Sequence, residues 1–467
     1  MTSTRRLAAW LALLLLAACG GGGGADEPRP AEHAVPGRFV LRVIATPTGH
    51  AALEEKPAPY RDGLPSAPVD RRLRIAAQGA AEHLYAPPEG WSLIDIAAHP
   101  SGEFSAVLAT HRELRLLRLT AQARVLTSTA LADGAAPHDP YFDHGGIRDD
   151  SAMQPLFTRD AVRLAALGED LAVALRTGRH AVVAYRYAHA AQGYERRWRR
   201  LVEPGTTVMA RYLASGSHDT YGQLANHFQV LVAASARGDV AVAVPASPHN
   251  GAFAAHAAHY FIYLPGPPRP PLPEHGAIVT RLDGAEGSHQ GATFIDTGTT
   301  TQVYALRALT DGGWAIAGRQ RATGPEGGWN GFAAWLDGAG RLQRHAELHV
   351  EHDDALFDIA PLPGGRYLAA GATGYRQNPA GASISGDGAP LLAVLDADGR
   401  IAQRLPLPAA PGQNPVRSLD GHGPRWLAAG MRWLAAGMRG GPGTHTADAD
   451  PARLLRADGF VREVAVP

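Results

Sequence analysis

The sequence runs to 467 residues with Lys+Arg and Asp+Glu balanced at 44 each, so it offers no basic field for nucleic acid. A single cysteine excludes a disulfide framework. Beyond residue 18 the apolar runs are short and interrupted, which excludes a second membrane span.

The N-terminus reads as an address. Arg5 and Arg6 precede an apolar run from Leu7 to Ala18 that is too short to cross a bilayer by itself. Leu16-Ala17-Ala18-Cys19 resembles the lipobox of bacterial lipoproteins. That resemblance implies a signal peptide over 1–18, lipidation of Cys19, and a membrane partner reached through the lipid anchor. Gly20 rather than Asp follows Cys19, and by the same resemblance this implies the outer membrane of a cell envelope. Residues 19–38, with Gly20 to Gly24 followed by Pro28 and Pro30, read as a tether that stiffens into a spacer.

Residues 39–90 carry strand patterns at Phe39 to Ala45 and Arg72 to Ile75, separated by a Pro-rich stretch. From Trp91 to the C-terminus a unit recurs: an apolar run, a Gly-containing turn, then a second apolar run. The second runs begin at Phe104, Leu171, Val240, Trp314, Tyr367 and Trp426, at irregular spacing longer than an ordinary blade repeat. Ala172 to Leu175 and Val240 to Val244 are apolar at every position, so both faces of these strands must be buried. Trp314 and Ile316 point one way and Ala315 and Ala317 the other, a large face suited to a neighbour's small one. Glu113 to Leu119, Ala181 to Tyr187 and Leu391 to Leu395 are candidate third strands, and Arg400 to Leu405 a fourth. Asp396-Ala397-Asp398-Gly399 turns between the last two.

Asp311-Gly312-Gly313-Trp314-Ala315-Ile316-Ala317-Gly318, with Ala334-Trp335-Leu336-Asp337-Gly338-Ala339-Gly340, resembles the repeat of bacterial propeller lipoproteins and secreted proteins. Pro363 to Gly371 with Val394 to Gly399, and Trp426 to Gly430 with Ala457-Asp458-Gly459, match it again, covering about Val303 to Val466. The expected fold is all-β, a β-propeller of about six blades, or seven, over 91–467. The strands of the 39–90 segment can complete the last blade, build a partial seventh or stand apart, and closure of the ring by an N-terminal strand joined to the last blade is preferred because it removes two exposed edges. Arg425 to Met431 and Arg432 to Met438 are identical copies. Seven being odd, a continuing strand would turn the second copy's bulky residues to the opposite face, so one copy is expected as an extruded loop or the two as a hairpin near Gly430-Met431.

Chemistry is sparse. His138, Asp139, Asp143 and His144 form a loop of divalent-metal ligand types, and an ordinary polar loop explains the same composition. His249, His256 and His259 form a second cluster. His345, Glu347, His349 and Glu351 share one strand face, the pattern of a solvated outer edge. Ser217-His218-Asp219 are sequence neighbours, whereas a triad converges through the fold. Asp396 to Gly399 lacks the later Glu of a calcium loop.

The leading expectation is an envelope-anchored binding or scaffold module without a cofactor, for a protein, peptide or glycan and not for nucleic acid. The alternative is a propeller hydrolase or lyase with a metal-dependent site at the mouth. A third is an assembly scaffold resembling the propeller lipoprotein of the barrel-assembly machinery, whose usual Trp-docking repeats the sequence lacks.

Overall fold

The computed structural model describes residues 32–466, apart from 132–161, 203–229, 246–275 and 435–455, most of 57–69, 375–388 and 408–414, and a few single or short stretches elsewhere. Seven four-stranded antiparallel sheets follow one another along the chain. Blade 1 is Phe39–Thr46, Gly49–Glu55, Arg71–Ala77 and His83–Tyr85; blade 2 is Ser92–Ala98, Phe104–Ala109, Leu114–Leu119 and Val125–Ala130. Blade 3 is Val162–Leu167, Asp170–Thr177, Ala181–Ala190 and Gly193–Leu201; blade 4 is Leu231–Ala234, Val240–Pro245, Ala277–Leu282 and His289–Ile295. Blade 5 is Thr301–Ala308, Trp314–Arg321, Trp329–Leu336 and Leu342–Leu348; blade 6 is Ala355–Pro361, Tyr367–Thr373, Ala389–Leu395 and Ile401–Arg404. Blade 7 takes Val416–His422, Arg425–Leu434 and Arg456–Val464 from the C-terminal region and its outer strand, Glu32–Val35, from the N-terminal one.

The sheets stack because each is apolar on both faces. Leu53 of blade 1 shares a core with Phe104 and Leu108 of blade 2, Val107 of blade 2 with Leu171 and Val173 of blade 3, and Ala172 and Ala174 of blade 3 with Val240, Val242 and Val244 of blade 4. Trp314 and Ile316 of blade 5 pack on Ala241 and Ala243 of blade 4, while Ala315 and Ala317 turn to Leu356 and Ile359 of blade 6. Leu368 and Ala370 of blade 6 meet Ala428 of blade 7, and Leu427 and Ala429 return to Val43 and Ala52 of blade 1. The core is therefore a closed circuit of interfaces, and the fold is a seven-bladed β-propeller.

All six second runs read from the sequence are the second strands of blades 2 to 7. The seventh blade is the 39–90 segment, which forms blade 1 in full and does not complete the last blade; an N-terminal strand does close the ring, but it is Glu32–Val35, within the stretch read as tether. Blade 1 escapes an apolar pattern because its second strand ends in Glu54 and Glu55. Glu54 is fully buried between Arg72 (2.6 Å) and Arg74 (2.5 Å), and Glu55 meets Arg71 at 2.6 Å.

The tandem copies form no hairpin. Arg425–Leu434 is one strand that crosses the junction, pairing Gly430 with Phe460, Met431 with Gly459 and Arg432 with Asp458. The inner strand pairs with the first copy only, ending at Val416 opposite Gly430.

Val35 is fully buried in the core that joins blade 7 to blade 1. Val35→Ala is expected to lower stability by roughly 2 kcal/mol, whereas Val125→Ser, on an exposed outer strand, should change it by no more than about 0.5 kcal/mol. Chemical denaturation midpoints of the two variants check this; equal shifts would show that the N-terminal strand does not hold the seam.

Candidate functional site

The two ends of the ring differ. In an antiparallel blade the connections from strand one to two and from three to four leave at one end. Those from strand two to three and onward to the next blade leave at the other. At the first end every connection is tight, the longest being residues 283–288, and each long connection leaves from the second end: 131–161, 202–230, 246–276 and 435–455. We call these the turn end and the loop end.

The turn end is bolted together between blades. Arg237 donates to the Asp311 carbonyl (2.8 Å), Trp198 Nε1 to the Gly284 carbonyl (2.9 Å), and Arg281 to the Gly338 carbonyl (3.2 Å). The Asp-Gly turns hold themselves: Asp337 Oδ1 accepts from the Arg341 amide and Asp396 Oδ1 from the Asp398 and Arg400 amides. Asp396 to Gly399 is thus a hairpin turn and not the start of a calcium loop. A buried chain runs from His99 Nε2 to Ser105 Oγ (2.5 Å) and on to the Tyr194 hydroxyl, which Arg118 also contacts, while His99 Nδ1 meets the Gly168 carbonyl at 2.9 Å. Ser105 and His99 have the contacts of a nucleophile and its base, but Ser105 is wholly buried, so the pair clamps blade 2 to blade 3. Burial lowers the His99 pKa to about 4, and burial together with His33 does the same for His50.

Toward the loop end five inner strands break register: those of blades 1 and 2 displace Leu41 and Ile94, and those of blades 5, 6 and 7 do so between Val303 and Ala305, Leu356 and Asp358, and Val416 and Ser418. The residues displaced in blades 5, 6 and 7 are Tyr304, Phe357 and Arg417. They pack together, the Tyr304 and Phe357 rings tilted at 50° with centroids 5.0 Å apart and the Arg417 guanidinium 4.0 Å over the Phe357 ring. Arg319 extends the cluster, lying 4.3 Å over Trp329 and 6.0 Å over Tyr304, with its Nε donating to Gln302 Oε1 at 2.7 Å. Tyr304, Trp329 and Arg417 are half-buried, and Phe357 and Arg319 are buried. Tyr304, Trp329 and Arg417 thus leave part of their aromatic and guanidinium surface accessible at one mouth, suited to stacking and to hydrogen-bond donation.

Below it lies a charged axis. Arg307 of blade 5 makes a forked contact with Asp358 of blade 6 (3.0 and 2.7 Å) and donates to the Leu419 carbonyl of blade 7 at 2.5 Å. Asp358 accepts from the Leu419 amide at 2.8 Å, and Asp420 from the Ala45 amide of blade 1 at 2.8 Å. Across the ring, Arg42 of blade 1 meets Asp95 of blade 2 (2.9 and 2.8 Å), and Asp95 accepts from the Leu164 amide of blade 3. Burial opposes the charge on Arg307, but the Asp358 and Asp420 carboxylates outweigh it and its pKa rises. Burial holds Asp420 above the ordinary carboxylate range despite Arg307. These groups join three successive blades at each station, and their mutual pairing assigns them to holding the ring.

Among the sequence candidates, His345 and Glu347 lie exposed on the outer strand of blade 5, and His349 and Glu351 follow it. His349 Nδ1 meets Asn330 Oδ1 at 3.0 Å and Glu351 contacts Thr373, which fits the solvated edge. Among the described residues no group of three or more His, Cys, Asp or Glu is placed to hold a metal. Cys19, the metal candidates His138, Asp139, Asp143 and His144, the triplet His249, His256 and His259, and Ser217 to Asp219 lie outside the described residues. The Tyr304, Phe357 and Arg417 cluster and the axial pairs were not read from the sequence. Their signal is the glycine that ends each repeat: Gly318, Gly371 and Gly430 pair with Val303, Leu356 and Val416, the residue before each of these bulges. A Cβ on Gly318 or Gly371 would stand 1.9 Å from the carbonyl oxygen of Gln302 or Ala355.

No family model matches the sequence, and no curated protein matches it either. Among solved structures the fold is similar to that of BamB from Moraxella catarrhalis, at 9% identity over 93% of this chain and 99% of that one, TM-score 0.39. It is also similar to the β-propeller domain of the Trilobed protease from Pyrococcus furiosus, at 8% identity over 84% and 91%, TM-score 0.43. The WD40 β-propeller domain of Doa1 matches at 10% identity over 93% and 95%, TM-score 0.44. The likeness is one of fold alone.

Two outcomes follow from this geometry. Gly371→Ala forces a side chain into the backbone opposite the Phe357 bulge and is expected to lower stability by about 3 kcal/mol, read as a fall in melting temperature; an unchanged value would mean the bulge does not need the glycine. His99 and His50 are neutral when folded, with pKa values near 4 against 6.5 unfolded, so the unfolded chain takes up protons that the folded one refuses between those values. Their contribution is present above the unfolded pKa and is lost as pH falls from 6.5 through 4. The melting-temperature gap between the native chain and His99→Gln should therefore narrow across that window; a constant gap would place the His99 proton elsewhere.

Proposed function

We propose that the protein is an envelope-anchored lipoprotein whose propeller is a binding or scaffold module, engaging a protein, peptide or glycan at the loop end. The observation that carries this reading is that every long connection leaves from one end of the ring, the same end at which half-buried Tyr304 and Arg417 pack over the buried Phe357 ring. Loops raised on a rigid scaffold are the ordinary place for recognition, and aromatic and Arg side chains contribute disproportionately to binding interfaces. The turn end lacks these features, its loops being occupied in contacts with their neighbours. Anchoring is supported by Leu16-Ala17-Ala18-Cys19, and an outer-membrane address by Gly20 after Cys19.

Site-specific photocrosslinking in the native envelope tests the reading. A photoreactive residue replacing exposed Arg321 at the loop end should give a discrete adduct, and one replacing exposed Ala339 at the turn end should give none. The double change Tyr304→Ala with Arg417→Ala, at unchanged melting temperature, should weaken capture roughly tenfold or more. Adducts formed only from residue 339, or capture indifferent to the double change, would overturn the proposal.

A further inference from the structure

The direction in which the ring stands follows from where its closing strand begins. Glu32 pairs opposite Arg462 and Val35 opposite Gly459, antiparallel to Arg456–Val464. Arg456–Val464 starts at the loop end, so it finishes at the turn end, and Glu32 lies at the turn end with it. Side-chain contacts agree. His33 lies 3.6 Å from Glu82, in the turn between strands three and four of blade 1, and 6.0 Å from the ring of His50, at the first turn of that blade. The Gly37 amide, past the other end of the strand, donates to Asp458 near the start of Arg456–Val464. The chain that leads back to Cys19 therefore departs from the turn end.

We infer that the ring stands with its turn end toward the membrane and presents the loop end, with half-buried Tyr304 and Arg417, to the aqueous compartment. The partner is then a macromolecule arriving from that compartment and not the lipid of the anchoring bilayer. The inference rests on the proposed anchoring at Cys19. Residues 20–31 reach at most roughly 40 Å when fully extended, and a Gly-rich chain of that length has a root-mean-square span of only about 20 Å. A strand of eight residues, such as Phe39–Thr46, rises about 25 Å. Turning the loop end to the lipid would stretch the connection along the whole height of the rim. Leaving the turn end nearest the lipid needs no such extension.

The sequence provides a clean way to test this, because Cys19 is its only cysteine and acylation would leave an introduced thiol as the single labelling site. Ala339→Cys and Ala397→Cys place it on exposed turn-end residues, and Ala86→Cys and Arg321→Cys on exposed loop-end ones. Each labelled lipoprotein is placed in vesicles carrying nitroxide-headgroup lipid, and the loss of emission is read. Turn-end labels should be quenched more strongly than loop-end labels; equal or reversed quenching overturns the inference. The same four variants of the chain from Gly20, carrying an N-terminal hexahistidine tag on nickel-chelating vesicles, read the orientation whether or not Cys19 is acylated. Flotation of the native chain with untreated vesicles reads the anchor. Failure to float with the quenching order intact would sink the anchoring reading alone, whereas flotation with the order lost would sink the orientation.

Discussion

The structure depends on a packing constraint: each sheet is apolar on both faces and needs a neighbour on both sides. Ala315 and Ala317 accept one blade while Trp314 and Ile316 press into the other. A row of such sheets would end in two apolar faces open to water, and closing the row into a ring removes both. The seam is also where the design is thinnest, because among the described residues the core joining blade 7 to blade 1 is built from Val, Ala and Leu side chains without an aromatic. Drawing the outer strand of blade 7 from the opposite end of the chain compensates, since neither terminus can peel away without breaking backbone pairs to the other.

The same constraint places the candidate site. The inner strands of blades 5, 6 and 7 bulge just after a residue that pairs with a glycine of the second strand, whereas those of blades 1 and 2 bulge just after residues paired with Glu54 and Leu108. Gly318 and Gly371 admit the carbonyls of Gln302 and Ala355 at distances no Cβ would tolerate. A bulge leaves one residue out of the ladder and re-aims its side chain; here that residue is Tyr304, Phe357 or Arg417. The next positions point back to the axis, where Asp358 and Ser418 join the cross-blade network with Arg307 and Leu419. In blades 5, 6 and 7 the residue pattern that ends the second strand in glycine therefore also sets the cluster at the mouth.

Much of the ring was legible because its signals are local. Asp-Gly turns, paired apolar runs and the alternation of Trp or Val with Ala identified the second strands of six blades. Blade 1 was hidden because Glu54 and Glu55 look like surface residues until Arg71, Arg72 and Arg74 arrive on the neighbouring strand. Closure by an N-terminal strand was legible, but its place at Glu32–Val35 was not, because four residues beside a Pro-rich run carry no period of their own. The pairing of Arg42 with Asp95 and of Arg307 with Asp358 spans blades far apart in sequence, and nothing in one strand announces it. Tyr304 and Phe357 look like ordinary core residues of an alternating strand, and only the glycine opposite reveals that the alternation breaks there.

The asymmetry between the two ends has a thermodynamic reason. Lengthening a turn at the turn end would displace contacts such as Arg237 with Asp311 and Trp198 with Gly284, each a hydrogen bond that also joins neighbouring blades. Lengthening a connection at the loop end adds only loop-closure entropy, about 0.6 kcal/mol for each doubling. The repeated heptapeptide in blade 7 fits that economy. Its first copy keeps the pairs from Trp426 to Gly430 with the inner strand, and the second begins beyond them, where the strand projects toward the loop end. An odd insertion within the paired region would have turned every following side chain to the wrong face. Placed where only the third strand follows it, the insertion leaves the core register intact, so the loop end can gain sequence without the ring having to refold.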